Sequence, residues 1–404
     1  MLLKETIKNV VQSQKSDLLQ FEYGVEREKL SEIDLDISFA IVLSGVRRCG
    51  KSTLLHQLMK KIDKYCYFNF EDTRIINFEP EDFQKLNEVL IDEYQQDDYY
   101  FFDEIQNVQK WEIFVRSMLD RQKKFIITGS NASLLSKELG TRLTGRHLRY
   151  ELFPFSFKEM LTFSKQEPNI NSFEEYFQKG GFPEYLKYNK TEILQQLLND
   201  IIARDIIVRH KLRDVKTVKE MALYLLTNIG NEFSYNGLKK IFNLGSTNSA
   251  LSYVSYFEDS YLMFTIPRFD YSLKKQLINP KKVYSIDNGL SNVNSASFSS
   301  NRGRMLENVV FLQLRRKYKD IFYFRAENEC DFIVKDRDKI ISAFQVCYEL
   351  SEDNKKREFD GLLETLTEFQ LESGLILTYN QEDEFKIDNK RILLKPTWKW
   401  LIES

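Results

Sequence analysis

The stretch Gly45-Val46-Arg47-Arg48-Cys49-Gly50-Lys51-Ser52-Thr53 carries residue types that can hold a polyphosphate. From Gly45 to Ser52 it satisfies the pattern G-x-x-x-x-G-K-[ST] without a mismatch. Two glycines let backbone N–H groups curl around an anion with no Cβ in the way. Lys51 is placed for its ammonium to reach the outer phosphates, and Ser52 for its hydroxyl to meet Mg²⁺. The whole stretch, Gly45 to Thr53, is therefore the candidate nucleotide cradle. Arg47 and Arg48 read in two ways: as contacts to phosphate or a neighbouring subunit, or as solvated loop charges.

Binding a nucleotide is not hydrolysing one. The run Asp97-Asp98-Tyr99-Tyr100-Phe101-Phe102-Asp103-Glu104 looks like a short apolar strand ending in two carboxylates. Asp103 at the strand tip would hold the Mg²⁺ hydration shell, as in a Walker B strand. Glu104 beside it would polarise an attacking water as general base. A third strand, Lys123 to Gly129, runs into Ser130 and Asn131, which would sense the γ-phosphate or cap the following helix. Arg142 and Arg146 are candidates for charge stabilisation in the transition state, against a structural ion-pair role. Arg146 acting in trans would require a homo-oligomer; acting in cis it would not.

These residues need elements to position them. Phe39-Ala40-Ile41-Val42-Leu43 reads as a strand buried on both faces. Leu54, Leu55, Leu58 and Ile62 follow the loop at helical spacing. A further strand is expected at Tyr65 to Phe70, and a crossover helix on Trp111, Phe114, Val115, Met118 and Leu119. Strands alternating with helices imply an α/β unit: a parallel sheet covered on both faces, of P-loop NTPase type. In such sheets ligands bind outside the carboxyl ends of the strands, where the polar residues fall.

Composition narrows the remainder. The chain has 404 residues, 42% of them hydrophobic, with 31 Phe and 21 Tyr, which suffices for several cores. Only 15 Gly and 7 Pro argue against long disordered linkers. Basic and acidic residues nearly cancel at 58 and 60, so any nucleic-acid face must be local. Cys49, Cys66, Cys330 and Cys347 lack the spacing of a zinc site or a secreted disulfide framework. His56, His147 and His210 are isolated. No signal peptide or apolar run of membrane-spanning length appears, and the chain reads as soluble and cytoplasmic, without a membrane partner.

From about residue 171 the strand–helix alternation stops. Gly180-Gly181-Phe182-Pro183-Glu184 leads into a long helical region through Arg209, where Arg204 and Arg209 either reach the nucleotide or pair with Asp205. Residues 217–290 have the order of a winged helix, with small polar residues free on the third helix to suit a major groove of double-stranded DNA. Lys239, Lys240, Lys274, Lys275, Lys281 and Lys282 would neutralise phosphates. Glu258 and Asp259 on that third helix argue against it, leaving a helical lid or a protein-docking domain as the alternative. Further on, a helix with Glu307, strands with Asp331 and Gln345, and a closing helix resemble the restriction-endonuclease-like PD-(D/E)XK fold. Glu307, Asp331 and Gln345 would be its metal set. Cys347 stands where that fold carries its lysine, so a degenerate site is expected, with Lys355 or Lys356 as substitutes.

In this order the parts resemble a family of prokaryotic AAA-type ATPases. The resemblance spans nearly the whole chain. It is carried by Gly45 to Thr53, Phe102-Asp103-Glu104, Thr128 to Asn131, Gly145-Arg146, Gly180 to Glu184 and the Glu307/Asp331/Gln345 set. It implies an AAA-like domain over 1–165, a helical and winged-helix domain over 166–295 and a nuclease-like domain over 296–404. It implies ATP as the nucleotide. Two readings stay open: an ATPase acting on DNA or a protein client, or a DNA-binding scaffold or nuclease gated by nucleotide.

Overall fold

A computed structural model describes residues 1–95, 98–130, 145–295 and 301–404. The chain divides into two compact units, Met1–Phe153 and Pro154–Ser404. No described helix is long and apolar enough to cross a membrane.

The first unit is built on a sheet of five strands: β1 (Ala40–Gly45), β2 (Cys66–Asn69), β3 (Tyr99–Asp103), β4 (Lys124–Gly129) and β5 (His147–Leu152). Their order is β2-β3-β4-β1-β5, and every pairing is parallel. Strand β1 is buried throughout, as its unbroken apolar run requires of a central parallel strand. Strand β5 has no apolar run to signal it in the sequence. Its residues His147-Leu148-Arg149-Tyr150-Glu151-Leu152 are polar and half-buried, which an edge position tolerates.

Helices α1 (Lys4–Leu18), α2 (Lys51–Met59), α3 (Asp82–Tyr94) and α4 (Trp111–Leu119) belong to this unit. Ile7, Val10 and Val11 of α1 join Phe68, Phe83, Phe102, Trp111 and Phe125 in one core. Phe83 stacks on Phe114 at 4.8 Å between centroids. The aromatic-rich composition is thus spent on holding the sheet whose carboxyl ends carry the polar residues.

The second unit contains two further sheets. Helices Val215–Thr227, Tyr235–Ile241 and Thr247–Asp259 accompany a small antiparallel sheet of β6 (Glu232–Phe233), β7 (Met263–Pro267) and β8 (Lys281–Ser285), ordered β6-β8-β7. Ser234 and Ser246 cap the second and third of these helices. Then comes helix Arg302–Lys317 and a mixed sheet of β9 (Ile321–Arg325), β10 (Glu329–Asp336), β11 (Lys339–Val346), β12 (Ser373–Thr378), β13 (Asp383–Ile387) and β14 (Lys390–Pro396). Its order is β13-β14-β12-β11-β10-β9, parallel at β11–β12 and β12–β14 and antiparallel elsewhere. Helix Glu352–Glu368 connects β11 to β12.

The Gly180-Gly181 pair has a packing role. Gly180 has φ of 70°, and a Cβ there would lie 2.2 Å from the Asp287 carboxylate. The Gly181 N–H donates to Asp287 Oδ2 at 2.6 Å, and Leu290 N–H donates to Oδ1 at 2.9 Å. Burial pushes Asp287 up from 3.8 to about 6, against the opposing pull of these N–H donors. Its folded value exceeds its unfolded one, so the native state holds the proton more tightly. That contribution is complete below about pH 4 and is lost as pH rises through about 6. We expect the stability difference between wild type and Asp287→Asn to change by on the order of 3 kcal/mol across this window. Urea unfolding at a series of pH values measures it; parallel curves for the two proteins would contradict the assignment.

Candidate active site

The phosphate-loop residues stand at the carboxyl end of β1 and the start of α2. Gly50 precedes α2 with φ of 97°, a left-handed conformation that glycine adopts at little cost. Gly45 lies so close to β5 that a Cβ would sit 2.2 Å from the Leu152 carbonyl oxygen. Both glycines are therefore required by backbone geometry. Val46 and Cys49 are buried, and burial pushes the Cys49 thiol up, so it carries no charge to the loop. Arg47 lies 3.9 Å from Glu71, and Arg48 is exposed in a left-handed conformation with φ of 63°. Thr53 follows Ser52 in the first turn of α2.

Lys51 is buried beneath the loop. Its Nζ donates to the carbonyl oxygens of Gly45 at 3.3 Å and Val46 at 3.2 Å. Glu104 Oε1 lies 4.0 Å away. Asp103 ends β3, and the β3–β4 register places it beside Thr128. The Thr128 hydroxyl donates to Asp103 Oδ1 and accepts from the Glu104 N–H at 2.9 Å. Burial raises the Asp103 pKa, the neighbouring Glu104 adds to this, and hydrogen bonds from Thr128 and Ser52 oppose it. Glu104 has φ of 51°, unusual for a residue with a side chain, and its Oε2 accepts from Gln106. Ser130 is buried at the end of β4, and its Oγ has no hydrogen-bond partner among the described residues.

Lys51, Ser52, Asp103 and Glu104 thus meet at one end of the sheet, with Ser130 at the neighbouring strand end. The arrangement suits a nucleotide with its cation. The glycine cradle has no room for side chains, Ser52 reaches Asp103, and an orphaned hydroxyl awaits a partner. Asn131 and Arg142 lie outside the described residues. Arg146 is a correction to the in-cis expectation. Its carbonyl accepts from Ala40 N–H at the amino end of β1, and its guanidinium pairs with Asp120 at the surface. The length of β1, roughly 17 Å, separates it from the loop.

Two groups that shape this site escaped sequence reasoning. Arg27 is fully buried; it donates to the carbonyls of Cys49 and Phe153, each at 2.7 Å. It buttresses the loop from behind, since a Cβ on Gly50 would come within 2.9 Å of its Nη1. Gln57 of α2 accepts from Arg27 N–H at 3.1 Å and donates to the carbonyls of Tyr23 and Val25. An arginine between two glutamates in a loop gives no periodic signal. Thr128 was visible as a strand residue, but not as the hydroxyl that joins Asp103 to Glu104.

The second unit gathers its own carboxylates. Glu307, Asp331 and Gln345, the set that the resemblance to the nuclease-like fold implies, lie close together. The centre is filled by Lys282 of β8. Its Nζ lies 3.0 Å from Glu307, 3.0 Å from Asp331 and 2.8 Å from Glu329. Tyr284 donates to Glu307 at 2.7 Å. Gln345 accepts from Asp331 N–H and donates to Glu358 at 2.6 Å, so its amide is engaged within the protein. The metal reading of Glu307, Asp331 and Gln345 is thereby corrected: an ammonium stands among the carboxylates. Among the described residues no group of three or more His, Cys, Asp or Glu side chains is disposed to hold a metal ion. Lys282 is also no phosphate contact, being 3% exposed. Burial opposes its charge, but Glu307, Asp331 and Glu329 hold its pKa well above the usual lysine range. Lys355 instead pairs with Glu352 on the helix surface.

The parallel sheet and the loop–carboxylate constellation define the first unit as an α/β domain of the P-loop ATPase class. Residues 38–161 match a family described as an AAA domain. Residues 170–300 and 302–399 match two domains of unknown function, DUF8612 and DUF4143. An uncharacterized protein of Methanocaldococcus jannaschii, MJ1544, is 38% identical over 394 residues, covering 89% of this chain and 87% of that protein. The chain belongs to the family of this archaeal protein. An uncharacterized protein of Haemophilus influenzae is 29% identical over 393 residues, covering 90% of this chain and 94% of the relative. Among solved structures, the replication initiator DnaA bound to AMPPCP and single-stranded DNA aligns with 62% of this chain and 91% of its own, at 13% identity and a TM-score of 0.30.

Proposed function

We propose that this protein is a Mg²⁺-dependent ATPase of AAA type that couples ATP turnover to conformational change on a DNA or protein client. The observation that carries the reading is the meeting of Lys51, Ser52, Asp103 and Glu104 at the carboxyl ends of β1 and β3. Lys51, now held by two loop carbonyls, supplies positive charge to the outer phosphates. Ser52 and Asp103 would hold the cation, which when bound neutralises charge on the phosphate oxygens. Glu104 takes the proton of the attacking water. Ser130 supplies a hydroxyl to the phosphate or the water.

DNA as the client is supported by the second unit. Its three helices and three strands follow the order of a winged helix, and Glu258 is turned inward to Thr265, at 2.7 Å from its hydroxyl. Its charge is therefore withdrawn from the third helix's outer face. The engagement of Glu307 and Asp331 by Lys282 supports a structural role for the nuclease-like region rather than cleavage.

The test is ATP hydrolysis by the full chain with and without duplex DNA. We expect Mg²⁺-dependent turnover that rises with DNA, and loss of both nucleotide binding and turnover in Lys51→Ala. Retained turnover in that variant would refute the site. A response flat to DNA would point to a protein client.

A further inference from the structure

A cavity of about 300 Å³ opens in the second unit. Its walls include Arg304 and Asn301, at the start of helix Arg302–Lys317, and Ser291 of helix Asn288–Asn294. Leu226, Ile229 and Met305 supply an apolar side. No acidic side chain is among the described residues that line it.

Three observations point to an anion. The first turn of the 16-residue helix contains arginines and no acidic residue, although its N-terminus already carries partial positive charge. Arg302 is neutralised by a two-pronged pair with Glu174, at 3.0 and 2.6 Å. Arg304 has no such partner among the described residues, so its charge adds to that of the helix end at the cavity wall. Independently, Ser291 is 4% exposed, and its Oγ has no hydrogen-bond partner among the described residues. A buried hydroxyl without a partner is costly unless a ligand satisfies it.

We infer that this cavity binds a small phosphate monoester. The Arg304 guanidinium offers a fork of N–H donors suited to phosphate oxygens. Ser291 supplies a hydroxyl from a second helix, as a tetrahedral anion requires more than a planar one does. The apolar side receives the organic body of the ester, and the volume lies at the small end of ligand pockets. None of its lining residues belongs to the P-loop, and the inference does not depend on the ATPase reading.

The test uses the full chain carrying Lys51→Ala, which silences the phosphate loop. Phenyl phosphate, inorganic phosphate and benzoate are titrated calorimetrically. Phenyl phosphate should bind saturably, inorganic phosphate more weakly and benzoate weakest. Arg304→Gln should weaken phenyl phosphate by about tenfold or more. Ser291→Ala, which changes the packing least, should weaken it by about three- to tenfold. The inference is overturned if no probe binds saturably or if both variants bind phenyl phosphate as the parent does. Benzoate binding as tightly as phenyl phosphate would overturn the phosphate assignment.

Discussion

Glu104→Gln should leave ATP bound and lower its turnover by about 10²–10⁴-fold. The substitution keeps the side chain's shape and its reach toward Gln106 while removing the group that takes a proton. It also removes the negative charge 4.0 Å from Lys51. That charge competes with phosphate for the ammonium, so ATP should bind at least as tightly as in the wild type. Burial still raises the Asp103 pKa, but the second cause of that upward shift, the Glu104 charge, is removed. Nucleotide affinity by fluorescence and turnover by phosphate release separate the two effects. Turnover equal to wild type would remove Glu104 from the chemistry; loss of binding would make it a structural prop of the loop.

Lys282→Met should destabilise the second unit by about 3–5 kcal/mol, because it leaves buried carboxylates without their cation. Glu307, Asp331 and Glu329 all lie within 3.0 Å of the ammonium. Burial pushes Glu307 up to about 7, with Lys282 opposing it, so removing the lysine should drive Glu307 to full protonation. For a unit of this size the loss corresponds to a melting temperature lower by roughly 10 °C. Adding Asp331→Asn to Lys282→Met should recover part of the loss, since one uncompensated charge disappears with its partner. Thermal unfolding of the full-length variants measures both. Strictly additive losses in the double variant would mean that the two side chains are not coupled.

Local signals in the sequence were strong for the first unit. The apolar runs that became β1, β3 and β4 are central strands, whose composition must be uniform because both faces are covered, and edge strand β2 is legible because Cys66, Tyr67 and Phe68 are buried as well. Edge strand β5 carries His147, Arg149 and Glu151, and so resembles a loop until its pairing with β1 is known. In the second unit the acidic positions on the helix and strands were legible, but the cation among them was not. Lys282 lies in a run of surface-like residues, Pro280-Lys281-Lys282, and looked like its exposed neighbour Lys275.

By itself the sequence determined the phosphate loop, the two carboxylates after β3 and the alternation that makes the parallel sheet. Each depends on residues adjacent in the chain, where spacing and backbone geometry suffice. Tertiary structure decided what surrounds them. Arg27 meets Cys49 across 22 residues, Thr128 meets Asp103 across 25, and Lys282 meets Asp331 across 49. The second follows from the pairing of neighbouring strands, the first from a loop folded back on the phosphate loop and the third from two different sheets, none of which leaves a trace in local spacing. The same geometry carried Arg146 to the amino end of the sheet, away from the loop that its sequence position had seemed to serve.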